Sequence, residues 1–305
     1  MTEATAVWTL WLLFAIATGI TYARIPSGEL WGVSRDGPAG GASRALLMLA
    51  GPFAPIAAAL AIIAFERWRL GAAATSRART RTFAAAVVVA VTLCLTVALP
   101  GATDRDELDF RISNLPAAAG VGLAFVLTIR AAYTTGIGAT SGWTNGDWAR
   151  LIVLGTLFVI ALPWLVAVLG FFASQVPLLG WIFLAAEPTP GEPGLPAVHV
   201  GYHEGLGGVL HAASALVLSR TLGSVRPRAA AALSLYFSLI FVYGLAVAAS
   251  DAWYEQVVKR GWASWRLPDV LVPSLGAAWA MLLFAAVVVH LLLFRPRRST
   301  TEHEA

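Results

Sequence analysis

Apolar residues in this chain come in long runs separated by short polar stretches. Eight runs stand out, at roughly 5–22, 44–65, 82–100, 115–135, 151–173, 203–220, 229–250 and 273–294. Each is close to the ~20 residues that a helix needs to cross a hydrocarbon layer about 30 Å thick. Backbone groups find no water partner inside lipid, so runs of this kind must be helical. The ten-residue alternation of a membrane β-barrel is absent. The pattern predicts an all-α, polytopic membrane protein with about eight transmembrane helices, residues 1–305 forming a single membrane-embedded helical domain. The first run is preceded by Glu3 rather than a basic stretch, and no small-residue cleavage site follows it. It therefore reads as a retained helix, not a signal peptide.

Composition agrees with the pattern. Hydrophobic residues make up 58% of the chain and charged ones 12%, against about a quarter charged in a soluble domain. Mean hydropathy is +0.73. The positive charges are clustered. Arg67, Arg69, Arg77, Arg79 and Arg81 follow the second run, Arg220, Arg226 and Arg228 follow the sixth, and Arg295, Arg297 and Arg298 follow the eighth. Arginine-rich loops stay on the cytoplasmic side, so all three clusters agree if both termini are cytoplasmic, in a bacterial-type plasma membrane. The net charge of +4 comes from these arginines. Anionic membrane lipid accounts for them, and no nucleic-acid partner is called for. Cys94, the single cysteine, lies inside the third run, which excludes an intrachain disulfide or a thiolate zinc site.

The loops expected outside are richer than connectors need to be. The first carries Arg24, Glu29, Trp31, Arg35 and Asp36. The acidic stretch Asp104, Asp106, Glu107 and Asp109 reads as a solvated turn. The third begins as an amphipathic segment and then carries prolines at 188, 190, 193 and 196, which predict an extended conformation. The fourth interleaves Trp253, Tyr254, Trp262 and Trp265 with Lys259, Arg260 and Arg266, the composition of a segment lying at headgroup level.

Candidate chemistry concentrates in "VHVGYHEGLGGVLH", which holds His199, His203, Glu204 and His211. His199 and His203 are one helical turn apart, and Glu204 and His211 two turns apart on one face. Imidazole and carboxylate at such spacings bind divalent metals or move protons. A histidine as deep as His211 faces a bundle interior or a wet cavity. The stretch is not HExxH, since glycine stands where the second histidine should be, and the separate histidine boxes of membrane desaturases are missing.

A second constellation ends the seventh run. Tyr236, Tyr243, Ser250 and Tyr254 recur at whole helical turns, and Asp251 and Glu255 follow on one turn. The loop joining runs six and seven is short, so these helices are antiparallel neighbours. His203, Glu204 and His211 are therefore expected to meet Asp251 and Glu255 in one outward-opening cavity. One divalent metal there would take ligands from His199, His203, His211 and Glu255, while His203, Glu204, Asp251 and Glu255 are the candidates for acid–base work. Three functions fit the pattern: a membrane-embedded enzyme acting on a lipid or lipid-linked substrate, a proton-coupled permease using the same groups as a relay, and a non-catalytic subunit docking a protein partner at its outer face. Polar groups crowd one side and runs one to three lack mid-depth ionisable groups, which favours the enzyme.

Overall fold

The computed structural model describes residues 2–30, 32–71, 76–99, 108–135 and 144–294. Trp31, Asp104, Asp106, Glu107 and the arginines after residue 294 lie outside the described residues. The protein is an α-helical polytopic membrane protein with almost no sheet. Six continuous helical segments are long and apolar enough to cross a membrane, and two bent pairs bring the number to eight if each pair is one span.

The chain begins with α1 (Thr2–Arg24). The first bent pair follows, α2 (Gly37–Ala50) and α3 (Ala54–Gly71), with 56° between them. The break falls at Gly51-Pro52, where proline lacks the N–H needed to continue the ladder and its ring clashes with the preceding turn. α2 starts at Gly37, seven residues before the apolar run that predicts it. Asp36 at its N-cap and Pro38 in its first turn set that start. Next come α4 (Arg77–Cys94), whose N-cap Ser76 accepts a bond from Arg79 N, and α5 (Leu115–Thr135).

The second bent pair is α6 (Asn145–Ile160) and α7 (Leu162–Val168), 63° apart, with Pro163 at the break. Thr144 and Asp147 close a capping box at its start. A two-stranded hairpin, β1 (Pro188–Thr189) and β2 (Glu192–Pro196), comes before α8 (Glu204–Ser219). The prolines at 188, 193 and 196 are in extended strands, as expected, and the segment also folds back on itself. Gly191 at φ +83° supplies the reversal, and Pro188 then faces Pro196 across the ribbon.

α9 (Pro227–Trp253) continues through a π-helical turn, Tyr254–Val258, into one segment of 32 residues. At 1.5 Å per residue that is about 48 Å, so roughly a third of it exceeds a ~30 Å hydrocarbon core. α10 (Ala277–Val289) completes the bundle.

α8 is the central helix. Eighty-three per cent of its most apolar window is buried in protein, against 17% for α10, so α8 meets other helices nearly all round. Its partner α9 crosses it backbone to backbone. A Cβ on Gly208 would stand 2.5 Å from the Gly244 carbonyl oxygen, and one on Gly244 would stand 2.4 Å from that of Gly208. Small residues permit such an approach in a membrane, where packing rather than water exclusion holds helices together.

Ion pairs join the ends of α1, α3, α6, α8 and α9 at one end of the bundle. Arg226 forms a fork with Glu66, with contacts of 2.8 and 2.5 Å. Arg220 reaches Glu3 at 3.6 Å and Asp147 at 3.5 Å. The hairpin and the segments 25–30, 32–36, 108–114 and 259–276 belong to the opposite end. There the expected solvated acidic turn is corrected at Asp109, which is buried. Its carboxylate accepts bonds from Ser34 N, Ser34 Oγ and Ser43 Oγ, because it ties two loops to α2.

Candidate functional site

A cavity of about 820 Å³ opens among these loops and reaches down between α2, α3, α8 and α9 to Pro55 and Tyr236. Leu47, Met48, Leu239, Ile240 and Val247 make its deeper walls apolar. The tyrosine stripe of α9 forms part of the lining through Tyr236, Tyr243 and Tyr254, while Ser250 does not take part. Tyr236 donates to the Pro55 carbonyl oxygen at 2.9 Å and Tyr243 to that of Leu271 at 3.4 Å.

The polar end of the cavity is built by the meeting of α8's first turn with the extension of α9. His203 is the N-cap residue of α8, and its own side chain makes no capping bond. Asp251 of α9 takes that role, since its Oδ2 accepts from Gly205 N at 2.7 Å. Glycine is required there: a Cβ at position 205 would lie 2.6 Å from that oxygen and 2.3 Å from the Trp164 ring. A carboxylate at a helix N-terminus is also favoured by the helix dipole.

His203 Nε2 lies 2.8 Å from the carbonyl oxygen of His199. A carbonyl only accepts, so Nε2 carries the proton, and in the neutral ring Nδ1 presents its lone pair. Nδ1 faces Asp251 Oδ2 at 3.9 Å. Glu255 completes a triangle in which the ligand atoms of His203, Asp251 and Glu255 all lie within 4.8 Å of one another. Lys259 stands at its side, with Nζ 3.2 Å from both Glu255 oxygens and bonded to the Ala197 carbonyl. The π-helical turn brings Lys259 N onto Tyr254 O at 3.0 Å and keeps Glu255 and Lys259 on the buried side. Insertions of this kind recur at functional sites.

His203 is held neutral. Burial pushes its imidazole down from 6.5 to about 4, and the charges of Lys259 and Arg44 act in the same direction. His199 is pushed down to about 3, by burial first and then by the neighbouring His203. The two rings stack with centroids 4.1 Å apart.

The five residues His203, Glu204, His211, Asp251 and Glu255 line one cavity together with His199, as the spacing predicts. The tighter grouping differs from the expected ligand set. His199 directs Nδ1 to the Val200 carbonyl oxygen at 2.9 Å and stays outside the triangle. His211 also stays outside: its Nδ1 bonds the Gly207 carbonyl oxygen at 2.7 Å, and its ring meets Trp11 and Tyr243 edge-on, each at 5.4 Å. It is two turns further down α8, too far along the helix to share an ion with His203. Glu204 is exposed on the first turn of α8. Asp251, expected only as an acid–base group, takes the place of the distant histidines.

Arg44 and Lys259 also belong to the site, and the sequence alone does not single them out. Arg44 is 4% exposed on the cavity wall, with its Cζ 5.3 Å from the Tyr22 ring and 5.1 Å from the Tyr202 ring. Such contacts are worth about 0.5–2 kcal/mol each. The sequence signal was the helix start at Asp36-Gly37-Pro38, which puts Arg44 two turns inside α2. For Lys259 it was the four-residue step from Glu255, visible only if α9 runs on past Trp253. No protein-family model matches this chain, and no curated protein or solved structure is significantly similar to it.

Proposed function

We propose that this protein is a membrane-embedded, metal-dependent enzyme acting on a lipid or lipid-linked substrate, with His203, Asp251 and Glu255 as ligands of one divalent metal. The observation that carries the reading is the facing of acceptors. The bare Nδ1 of His203 and a carboxylate oxygen of Asp251 point at each other across 3.9 Å, with Glu255 closing the triangle. Converging lone pairs repel unless a proton or a metal ion lies between them, and 3.9 Å is too long for a hydrogen bond. One imidazole and two carboxylates form an ordinary set for zinc, manganese or ferrous iron. Tetrahedral bonds of about 2 Å set ligand atoms roughly 3.4 Å apart, so small rotamer shifts close the triangle.

A metal held by three protein groups keeps a position for water and lowers its pKa, or polarises a substrate oxygen. Glu204 is the general base of this reading, being exposed at the same cavity. The apolar cavity below accommodates a hydrocarbon chain while the reacting group stays at the polar end. Its lining ends at Pro55 and Tyr236, well short of the paired charges at the far end of the bundle. That supports a pocket for chemistry over a path for transport.

Metal content provides the test. Detergent-purified protein should carry about one equivalent of a divalent transition metal. His203→Ala and Glu255→Gln should each lower it at least about ten-fold, the effect of losing 1.4 kcal/mol of binding. Asp251→Asn should lower it too, while its remaining side-chain oxygen still caps α8. A wild-type chain that stays metal-free after supplementation with zinc, manganese and iron would overturn the reading.

A further inference from the structure

The proposed metal chemistry leaves Arg44 without a role. Its guanidinium lies on the cavity wall, two turns inside α2, and is almost wholly buried. Nη1 makes one long bond of 3.4 Å to the Leu108 carbonyl oxygen, and Nε has no hydrogen-bond partner. Among the described residues no carboxylate pairs with it. The adjacent Asp109 is occupied by Ser34 and Ser43. Arg226, by contrast, is fully forked onto Glu66, and Arg220 is shared between Glu3 and Asp147.

A guanidinium offers five donors in a planar fork and does not lose its proton in a protein. Burying one against two tyrosine rings with no carboxylate on its fork among the described residues is unfavourable, and ionisable groups at such depth mark ligand sites. The cavity it lines has room for a hydrocarbon chain, and the His203–Asp251–Glu255 triangle lines the same space. A phosphate group is the anion that suits both neighbours, since separate oxygens can meet an arginine fork and a divalent metal together.

We propose that Arg44 is the anchor for the phosphate of a lipid-chain substrate, whose hydrocarbon lies in the apolar part of the cavity between α2, α8 and α9. The proposal rests on the lipid-substrate reading above and names its chemical class. It does not depend on the metal being bound.

The test is a titration of chelator-treated wild-type protein in neutral maltoside detergent, followed by the fluorescence of its tryptophans, one of which, Trp279, lines the cavity. Dodecyl phosphate should bind at least about ten-fold more tightly than dodecyl trimethylammonium and than inorganic phosphate. Arg44→Met should remove that preference, and Arg44→Lys should keep part of it because it retains charge but not the fork. Equal binding of the two charged chains by wild type would overturn the proposal, even if Arg44→Met fails to fold. Equal binding of inorganic and dodecyl phosphate would overturn the lipid assignment. An undiminished preference in folded Arg44→Met would overturn the role of Arg44. Because metal is removed beforehand, a failed metal reading leaves this result standing, and a failed Arg44 effect leaves the metal content untouched.

Discussion

Lys259 and the candidate metal compete for the same carboxylate, and this sets the behaviour expected of single residues. Lys259 Nζ is 3.2 Å from both oxygens of Glu255, and both side chains are nearly fully buried. Removing one partner of a buried pair leaves an uncompensated charge, at a cost of about 3–5 kcal/mol. Lys259→Met should therefore destabilise the metal-free protein by roughly that amount in detergent melts. The same variant should bind divalent metal about ten-fold more tightly, because the ion no longer displaces an ammonium. Equal metal affinity in variant and wild type would show that Glu255 is no ligand. Protonation acts on His203 in a definite direction. Its pKa is 6.5 unfolded and about 4 folded, so the unfolded chain binds more protons between those values. The stability His203 contributes is then complete above pH 6.5, falls as the pH drops toward 4 and levels off below it. His203→Asn should remove that contribution, so the difference in melting temperature between wild type and variant should itself change with pH between 6.5 and 4.

Among the elements, α8 combines the closest packing with the first turn of the candidate site. The crossing at Gly208 and Gly244 leaves no room for a side chain on either helix. Gly208→Leu should abolish folded, monodisperse protein, since the clash is with backbone and cannot be relieved by a rotamer. Val217 lies nine residues on, half-buried on the opposite face, and Val217→Phe should cost only about 1–3 kcal/mol. Similar melting temperatures for the two would mean that α8 and α9 do not cross there. The extension of α9 is held by the loop before α8. Gln256 exchanges bonds of 2.8 and 2.9 Å with the backbone of Leu184, and Lys259 bonds Ala197. These contacts fix the segment carrying His199 and His203 over Asp251 and Glu255.

Over the whole molecule, charge is divided between two ends. The forked pair Arg226–Glu66 and the group Glu3, Asp147 and Arg220 bind helix ends opposite the cavity mouth. Arginine-rich ends remain in the cytoplasm, so we expect reporter fusions at positions 79 and 300 to read cytoplasmic and one at 190 to read external. A cytoplasmic reading at 190 would turn the cavity mouth inward and reverse the side from which substrate enters. Trp181 and Trp262, 76% and 71% exposed near that mouth, are then expected at headgroup level. Spin labels at both positions should report interfacial depth rather than free aqueous mobility.

Helix number, helix placement and the meeting of the histidine stretch with Asp251 and Glu255 were legible in the amino-acid sequence. Each follows from local constraints: unbroken apolar length in lipid, proline and capping signals at helix ends, and a connector too short to separate α8 from α9. Those constraints act over one or two turns and say which residues share a face. They do not measure the distance between faces of different helices. That distance is set by the glycine crossing of α8 on α9, by the kink at Pro52 and by the π-helical turn after Trp253. Through them the tertiary structure placed Asp251 rather than His211 beside His203, gave Lys259 to Glu255 and left Arg44 buried on the cavity wall with no carboxylate partner among the described residues. Selecting among groups a few ångströms apart is a property of packing, because each helix contributes only one edge of the site.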